Sequence, residues 1–345
     1  MSEFRQDPFT GRWCLFAEGR SARPNEYVAP SYSGAGAAGC PFCEGHESRT
    51  PPELAAVRPA GGPPNGPGWT VRSIPNRFPS VSLPAVGPAP ARARGSPTAP
   101  GTGEHEVIVT SPTHSPSFAR LAPSQLRDVF RFFRERVRRA NGRAFARSVL
   151  LFENKGPESG GTLPHPHAQL VASAQVGPRE VEEAAAFGRG RRSSRTKCAL
   201  EAVVRGEVDA GERVIVEDAH WVVLSPFASE HPYESWLVPR RHTPSLADAN
   251  DPELDRLAEL LPRLLRALDG IHPGVSYNWF VHGVPPRASA VGRFHWHVEV
   301  LPRLVRPDGY ELGTGTRVNA VLPERAAREL RDWMDGSPPL AVPKR

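Results

Sequence analysis

The chain repeats itself at a fixed distance of 128 residues. His105-Glu106-Val107-Ile108-Val109-Thr110-Ser111-Pro112-Thr113-His114 has a counterpart in Tyr233-Glu234-Ser235-Trp236-Leu237-Val238-Pro239-Arg240-Arg241-His242. Glu106 and Glu234, His114 and His242, and Ser117 and Ser245 all keep that spacing. A helix-like run follows each copy, over 125–139 and 253–268, and the expected ends, Gly142 and Gly270, are again 128 apart. Leu254, Leu257, Leu260, Leu261, Leu264, Leu265 and Leu268 hold the three-four spacing of an amphipathic helix. A glycine just past the last turn fits a helix C-cap. One chance match is cheap, but a constant offset through strand, histidine, helix and glycine marks a duplicated unit.

The duplication extends further. Residues 148–152 match 276–280 in kind, both strand-like, and residues 69–78 match 220–227. Two H-x-H segments follow, His165-Pro166-His167 and His295-Trp296-His297. Each unit therefore reads strand–strand–helix–strand–strand, over roughly 69–175 and 214–305. This pattern predicts an α+β class: two tandem units, each an antiparallel sheet with helices on one face. The unit boundaries are placed at 1–178 and 179–345. Strand alternation predicts that His165 and His167 share a face, as do His295 and His297.

Composition narrows the class. With 39 Pro and 31 Gly, the chain cannot be a long helical bundle. The Pro and Gly residues cluster at roughly 59–103, and an insertion near 81–103 of the first copy is expected to be a solvated loop. Lys155, Lys197 and Lys344 are the only lysines, so arginine carries the net charge of +6. Arginine suits small phosphorylated substrates as well as polyanions, and nucleic acid is not the expected partner. No signal-type run and no apolar stretch of membrane-spanning length is found, and four cysteines are too few for a disulfide framework. The expected setting is a reduced cytoplasm, away from membranes.

Certain residues carry chemistry. Imidazole is substantially neutral near pH 7 and can attack phosphorus without a helper base. Gln169 follows His167 by two residues, hence on the same strand face. Ahead of them, residues 152–162 supply Asn154, Gly156, Ser159, Gly160, Gly161 and Thr162, a loop able to approach phosphates through amides and hydroxyls. Cys40-Pro41-Phe42-Cys43 is half of a tetrahedral zinc site, and His114 and His165 are candidates to complete it. His282, His295 and His297, with Glu183 as fourth ligand, form a second candidate set suited to zinc or iron.

With these residues in view, the chain resembles the galactose-1-phosphate uridylyltransferase family of the histidine-triad superfamily, over roughly residues 4–325. Arg5-x-Asp7-Pro8-x-Thr10-Gly11-x-Trp13 and Arg20-x-x-Arg23-Pro24 resemble its opening. Cys40-Pro41-Phe42-Cys43-Glu44-Gly45-His46-Glu47 resembles its zinc knuckle. Phe152-Glu153-Asn154-Lys155-Gly156 through His165-Pro166-His167-Ala168-Gln169 resembles its nucleophile segment. Ser225-Pro226-Phe227-Ala228, Pro239-Arg240-Arg241-His242, Phe294-His295-x-His297 and Gly309-Tyr310-Glu311 resemble its second half.

The resemblance implies that His167 is the nucleophile and that Gln169 and Thr162 bind the transferred phosphate. It implies zinc on Cys40, Cys43, His114 and His165, and a second metal on Glu183, His282, His295 and His297. Arg20 and Arg23 would stand near the phosphates, with Phe42, Asn76, Phe78, Phe152 and Asn154 around the nucleotide. A homodimer is implied too. The implied reaction is ping-pong transfer of uridylyl from UDP-glucose to galactose 1-phosphate through His167. Two departures keep an alternative open, phosphorolysis of ADP-glucose by the same histidine. Arg77 follows Asn76 where the family commonly has an acidic residue, and no Gln follows Gly309-Tyr310-Glu311. A third reading, of another class, is a zinc-containing nucleotide or nucleic-acid binder without turnover.

Overall fold

The computed structural model describes residues 2–22, 36–83, 98–114, 117–189, 197–288 and 293–336. In chain order the strands are β1 (Ser2–Gln6), β2 (Trp13–Ala17), β3 (Ala55–Val57), β4 (Val71–Pro75), β5 (Gly103–Val109), β6 (Ser148–Lys155), β7 (His167–Ser173), β8 (Val214–Glu217), β9 (Trp221–Leu224), β10 (Ser235–Pro239), β11 (Tyr277–His282), β12 (His297–Pro302) and β13 (Arg317–Asn319). The helices are α1 (Gly36–Gly39), α2 (Pro123–Asn141), α3 (Pro178–Arg189), α4 (Ala199–Ala210), α5 (Asp251–Ile271), α6 (Gly309–Thr314) and α7 (Pro323–Met334).

Each repeat forms the expected strand–strand–helix–strand–strand unit, β4-β5-α2-β6-β7 and β9-β10-α5-β11-β12. The two share one antiparallel sheet of ten strands, ordered β3-β4-β5-β7-β6-β11-β12-β10-β9-β8. The order reads the same from either edge if each strand is replaced by its repeat partner. The halves join at the centre, where β6 pairs with β11 in the register Lys155↔Tyr277 to Leu151↔Val281. A second, three-stranded sheet, β1-β2-β13, ties the two ends of the described chain together.

One face of the large sheet carries the main core. Leu254, Leu257, Leu260, Leu261, Leu264, Leu265 and Leu268 of α5 are at most 1% exposed, with Trp221, Trp279 and Trp296 among their cluster. Burying each such leucine contributes about 1.5–3 kcal/mol. Asn250 starts α5 with a capping box: its side chain accepts from Glu253 N at 2.9 Å, and the Glu253 carboxylate accepts from Asn250 N at 2.9 Å. The repeat helices α2 and α5 lie on this face together, as expected. The expected arrangement is incomplete in one respect. Helices α3 and α4, outside the repeat, pack on the opposite face of the second half, where Ala186, Phe187 and Leu200 meet Val222, Leu224, Trp236 and Val238. Alternation explains this, because Trp221, Val223 and Leu237 of the same strands face the main core.

Of the two glycines, Gly142 caps its helix as expected and Gly270 does not. Gly142 does follow α2, but with φ −75°, a conformation open to any residue. Gly270 lies inside α5, which runs on to Ile271. A Cβ there would stand 2.2 Å from Trp333 Nε1, so the glycine makes room for the α7 indole rather than ending the helix. Most of the Pro/Gly insertion, residues 84–97, lies outside the described residues, as does Arg23.

Candidate active site

His167 opens β7, where it pairs with Val109 of β5. Its Nδ1 lies 2.7 Å from the carbonyl oxygen of His165. A carbonyl only accepts, so Nδ1 carries the hydrogen and Nε2 keeps the lone pair. Burial holds His167 below the usual imidazole range, which keeps that lone pair unprotonated. The Phe42 ring stands 5.2 Å from the His167 ring. Phe152 sits directly opposite Gln169 across β6–β7, so both share the His167 face.

The loop before the strand is tightly turned. Gly156 has φ +89°, and a Cβ there would fall 2.1 Å from Ser276 Oγ. Gly160 has φ +83°, and Gly161 N donates to Gly156 O at 3.0 Å. Glu153, Asn154, Lys155, Gly156 and His167 line a common cavity.

The cysteine turn meets two histidines. Cys40 Sγ lies 3.5 Å from His165 Nδ1, and Cys43 Sγ lies 3.6 Å from His114 Nδ1 and 3.7 Å from His165 Nδ1. Tetrahedral zinc, at about 2.1 Å from nitrogen and about 2.3 Å from sulfur, spaces its ligand atoms about 3.6 Å apart. The donor set and its spacing fit zinc. His165 Nε2 lies 2.8 Å from Ser111 O, which fixes the hydrogen there and leaves Nδ1 to the metal. Burial and the neighbouring Cys40 push the Cys43 thiol up to about 11, a cost that a bound cation would relieve.

The second expected set is divided. Glu183, His282 and His297 converge, with His282 Nδ1 2.7 Å from Glu183 Oε2 and His297 Nε2 3.3 Å from Glu183 Oε1. Burial pulls His282 down, but Glu183 and Glu299 outweigh it and push it up to about 10. His295 is not in that group. It gathers with Cys198 and His242, its Nδ1 3.9 Å from Cys198 Sγ. The expectation failed because β12 begins at His297, so strand alternation does not reach His295. The same is true of His165, which precedes β7. Sequence reasoning missed the Cys198 group. The signal was present: the repeat matches His242 to His114, and the H-x-H segments match His295 to His165. His242 Nε2 and His282 Nε2 are both buried without a hydrogen-bond partner among the described residues.

Two family models match the chain, the galactose-1-phosphate uridyl transferase N-terminal domain over residues 70–177 and the C-terminal domain over 186–337. The chain belongs to the galactose-1-phosphate uridyl transferase family. An ADP-glucose phosphorylase of Arabidopsis thaliana is 29% identical over 335 residues, covering 96% of this chain and 92% of its own. A galactose-1-phosphate uridylyltransferase of Thermotoga maritima is 28% identical over 345 residues, covering 96% and 98%. The crystal structure of an Arabidopsis thaliana ADP-glucose phosphorylase with bound ADP-glucose superposes with a TM-score of 0.81, at 26% identity over 96% of this chain and 99% of that one. A uridylyltransferase structure superposes at 0.69, also 26% identical, over 97% and 99%.

In this member of the galactose-1-phosphate uridyl transferase family, the expected nucleotide contacts are distributed unevenly. Asn154 pairs across the sheet with Asn278. Asn76 Oδ1 accepts from Phe78 N at 2.8 Å, and the Phe78 ring is 83% exposed. Thr162 is exposed. Arg20 lies 2.5 Å from Asp308, which caps α6, and among the described residues no contact joins it to the His167 cluster. Sequence reasoning also missed His105. It is buried on β5, with its Nε2 2.8 Å from Gln169 Oε1. No described helix is long and apolar enough to cross a membrane.

Proposed function

We propose that the chain transfers a nucleotidyl group from a nucleotide sugar through His167. The observation that carries this reading is the tautomer of His167, with Nδ1–H held by the His165 carbonyl. Nε2 attacks the α-phosphorus, the bond from α-phosphorus to bridging oxygen breaks, and sugar 1-phosphate leaves. A phosphate oxygen of the acceptor then attacks the same phosphorus, the P–N bond breaks, and His167 is regenerated. Leaving group and acceptor are anionic near neutrality, so positioning and charge stabilisation dominate over proton transfer.

For donor and acceptor, we favour ADP-glucose and inorganic phosphate. The full-length likeness to the Arabidopsis phosphorylase and its higher TM-score support this. The missing Gln after Gly309-Tyr310-Glu311 agrees with it. Uridylyl transfer from UDP-glucose to galactose 1-phosphate is the second reading, supported by the full-length Thermotoga relative.

Cys40, Cys43, His114 and His165 would hold zinc. Bound there, the metal would supply structure, fixing His165 and through its carbonyl the His167 ring. Of the two further groups, a thiolate with two imidazoles, Cys198, His242 and His295, suits zinc. A carboxylate with two imidazoles, Glu183, His282 and His297, suits zinc or iron. Units at 1–178 and 179–345 and a homodimer complete the proposal.

The test uses ADP-glucose and UDP-glucose labelled at the α-phosphate. Acid-labile, base-stable label on the wild-type protein and none on His167→Ala is the expected result. Chasing the labelled protein with phosphate should release ADP. Release by galactose 1-phosphate, as UDP-galactose, would favour the second reading. No label from either donor would favour a binder without turnover.

A further inference from the structure

Two carboxamides stand on the His167 face of β6 and β7, Asn154 and Gln169, and a carboxamide can present either its oxygen or its N–H groups. Which end faces a ligand follows from partners whose own roles are fixed. The backbone N–H of Ser80 lies 3.1 Å from His105 Nδ1. That group can only donate, so Nδ1 is the acceptor and Nε2 carries the imidazole hydrogen. The atom of Gln169 at 2.8 Å from Nε2 must therefore be its oxygen. Asn76 Nδ2 also lies 3.1 Å from that nitrogen, but Phe78 N–H holds the Asn76 oxygen on the other side. An amide nitrogen cannot accept the His105 hydrogen, which leaves Gln169 as its acceptor among the described residues.

Asn278 is fixed in the same manner. Arg303 Nε, a donor only, lies 2.6 Å from Asn278 Oδ1. The Ser159 carbonyl, an acceptor only, lies 3.0 Å from Asn278 Nδ2. Asn278 thus donates its second N–H across the sheet, 2.7 Å to Asn154, whose receiving atom must be Oδ1. Both carboxamide oxygens are occupied. Among the described residues, no hydrogen-bond partner takes Asn154 Nδ2 or Gln169 Nε2, and both side chains are half-buried beside His167.

We propose that His105 and Asn278 are positioning residues that lock Gln169 and Asn154 with their N–H groups toward the ligand, making this side of the site a donor surface for phosphate oxygens. The proposal rests on the reading that a nucleotide binds beside His167. It assigns the second half of the chain a part in the chemistry of the first, through Arg303 and Asn278. Burial holds His105 below the usual imidazole range, so it remains a neutral single donor across physiological pH.

The experiment measures binding of pyrophosphate, ADP and UDP by calorimetry, beside the rate of covalent labelling at varied donor concentration. His105→Phe removes the donor to Gln169, whereas His105→Gln restores an N–H near the position of imidazole Nε2. Asn278→Asp turns a donor into an acceptor and forces Asn154 to reverse, whereas Asn278→Leu removes the lock without reversing it. Losing an oriented donor to an anion should weaken ligand binding about ten- to hundredfold. Expected is that loss in His105→Phe with recovery in His105→Gln, and a larger loss in Asn278→Asp than in Asn278→Leu. Melting temperatures should not follow that order. Affinities that are unchanged, or that simply track melting temperature, would overturn the proposal. Wild-type binding without labelling would overturn the covalent reading and leave these comparisons standing. No wild-type binding of any of the three anions would overturn both.

Discussion

Phe152 and Phe280 lie directly opposite one another where β6 meets β11, and they are separated by the repeat distance of 128 residues. The internal two-fold of the chain passes between them. Neither half has its own sheet edge at this seam, since both edges are consumed by pairing. Unfolding one half would expose the β6 or β11 edge of the other. The chain should therefore unfold in urea as one cooperative step, with far-ultraviolet circular dichroism and tryptophan fluorescence superimposing. Two resolved transitions would show that the halves hold together independently.

Gly270→Ala places a methyl group against the Trp333 indole. Overpacking of this kind costs about 1–3 kcal/mol. Trp333→Ala removes the obstacle along with its own packing. The double variant should lose less than the sum of the two single changes, read from urea midpoints. Additive losses would mean that α5 and α7 do not touch through these residues.

Cys43→Ser should release zinc from the group formed with Cys40, His114 and His165. Metal analysis of the purified protein should show about one zinc per chain fewer than wild type. Covalent labelling should fall with it, because the His165 carbonyl that fixes His167 loses its anchor. Unchanged zinc content would remove this group as the metal centre.

Glu153 is buried against the Trp279 indole, and burial pushes its carboxyl from 4.5 to about 8. A raised folded-state pKa adds stability that is complete below the unfolded value and is lost as pH rises through the folded one. Here the window runs from 4.5 to about 8. Wild type should lose urea resistance across that window relative to Glu153→Gln, whose side chain does not titrate. A constant difference between the two proteins from about pH 5 to about pH 9 would contradict this.

The duplication was legible because glutamate, histidine and serine recur at one fixed spacing, with a helix-like run and an H-x-H segment following in the same order in each copy. Those marks made the order of strands and helices readable, and the convergence of Cys40, Cys43, His114 and His165 could be anticipated because these residues are few and chemically specific. Three things were not legible. The start of a strand decides whether two histidines at i and i+2 share a face, and β12 starting at His297 sent His295 to Cys198. A glycine at the end of a leucine stripe reads as a cap, yet Gly270 serves a contact with Trp333, 63 residues away in sequence. His105 carries no motif, and its bond to Gln169 exists only because β5 and β7 are neighbours in the sheet.

The cover formed by α3 and α4 has a further consequence. Phe152, Asn154 and Gln169 of the first half are partly open, whereas His297 and Glu299, which occupy the second half's places for His167 and Gln169, are at most 3% exposed. Glu183 of α3 reaches into that place and meets His297. Among the described residues, α3 covers the second half's counterpart of the His167 place, through Arg179 on Glu299 and Glu183 on His297, whereas the first half carries no such cover. Replacing Glu299 by glutamine would not open that place, because what closes it is a helix laid across it rather than the identity of the residues behind it.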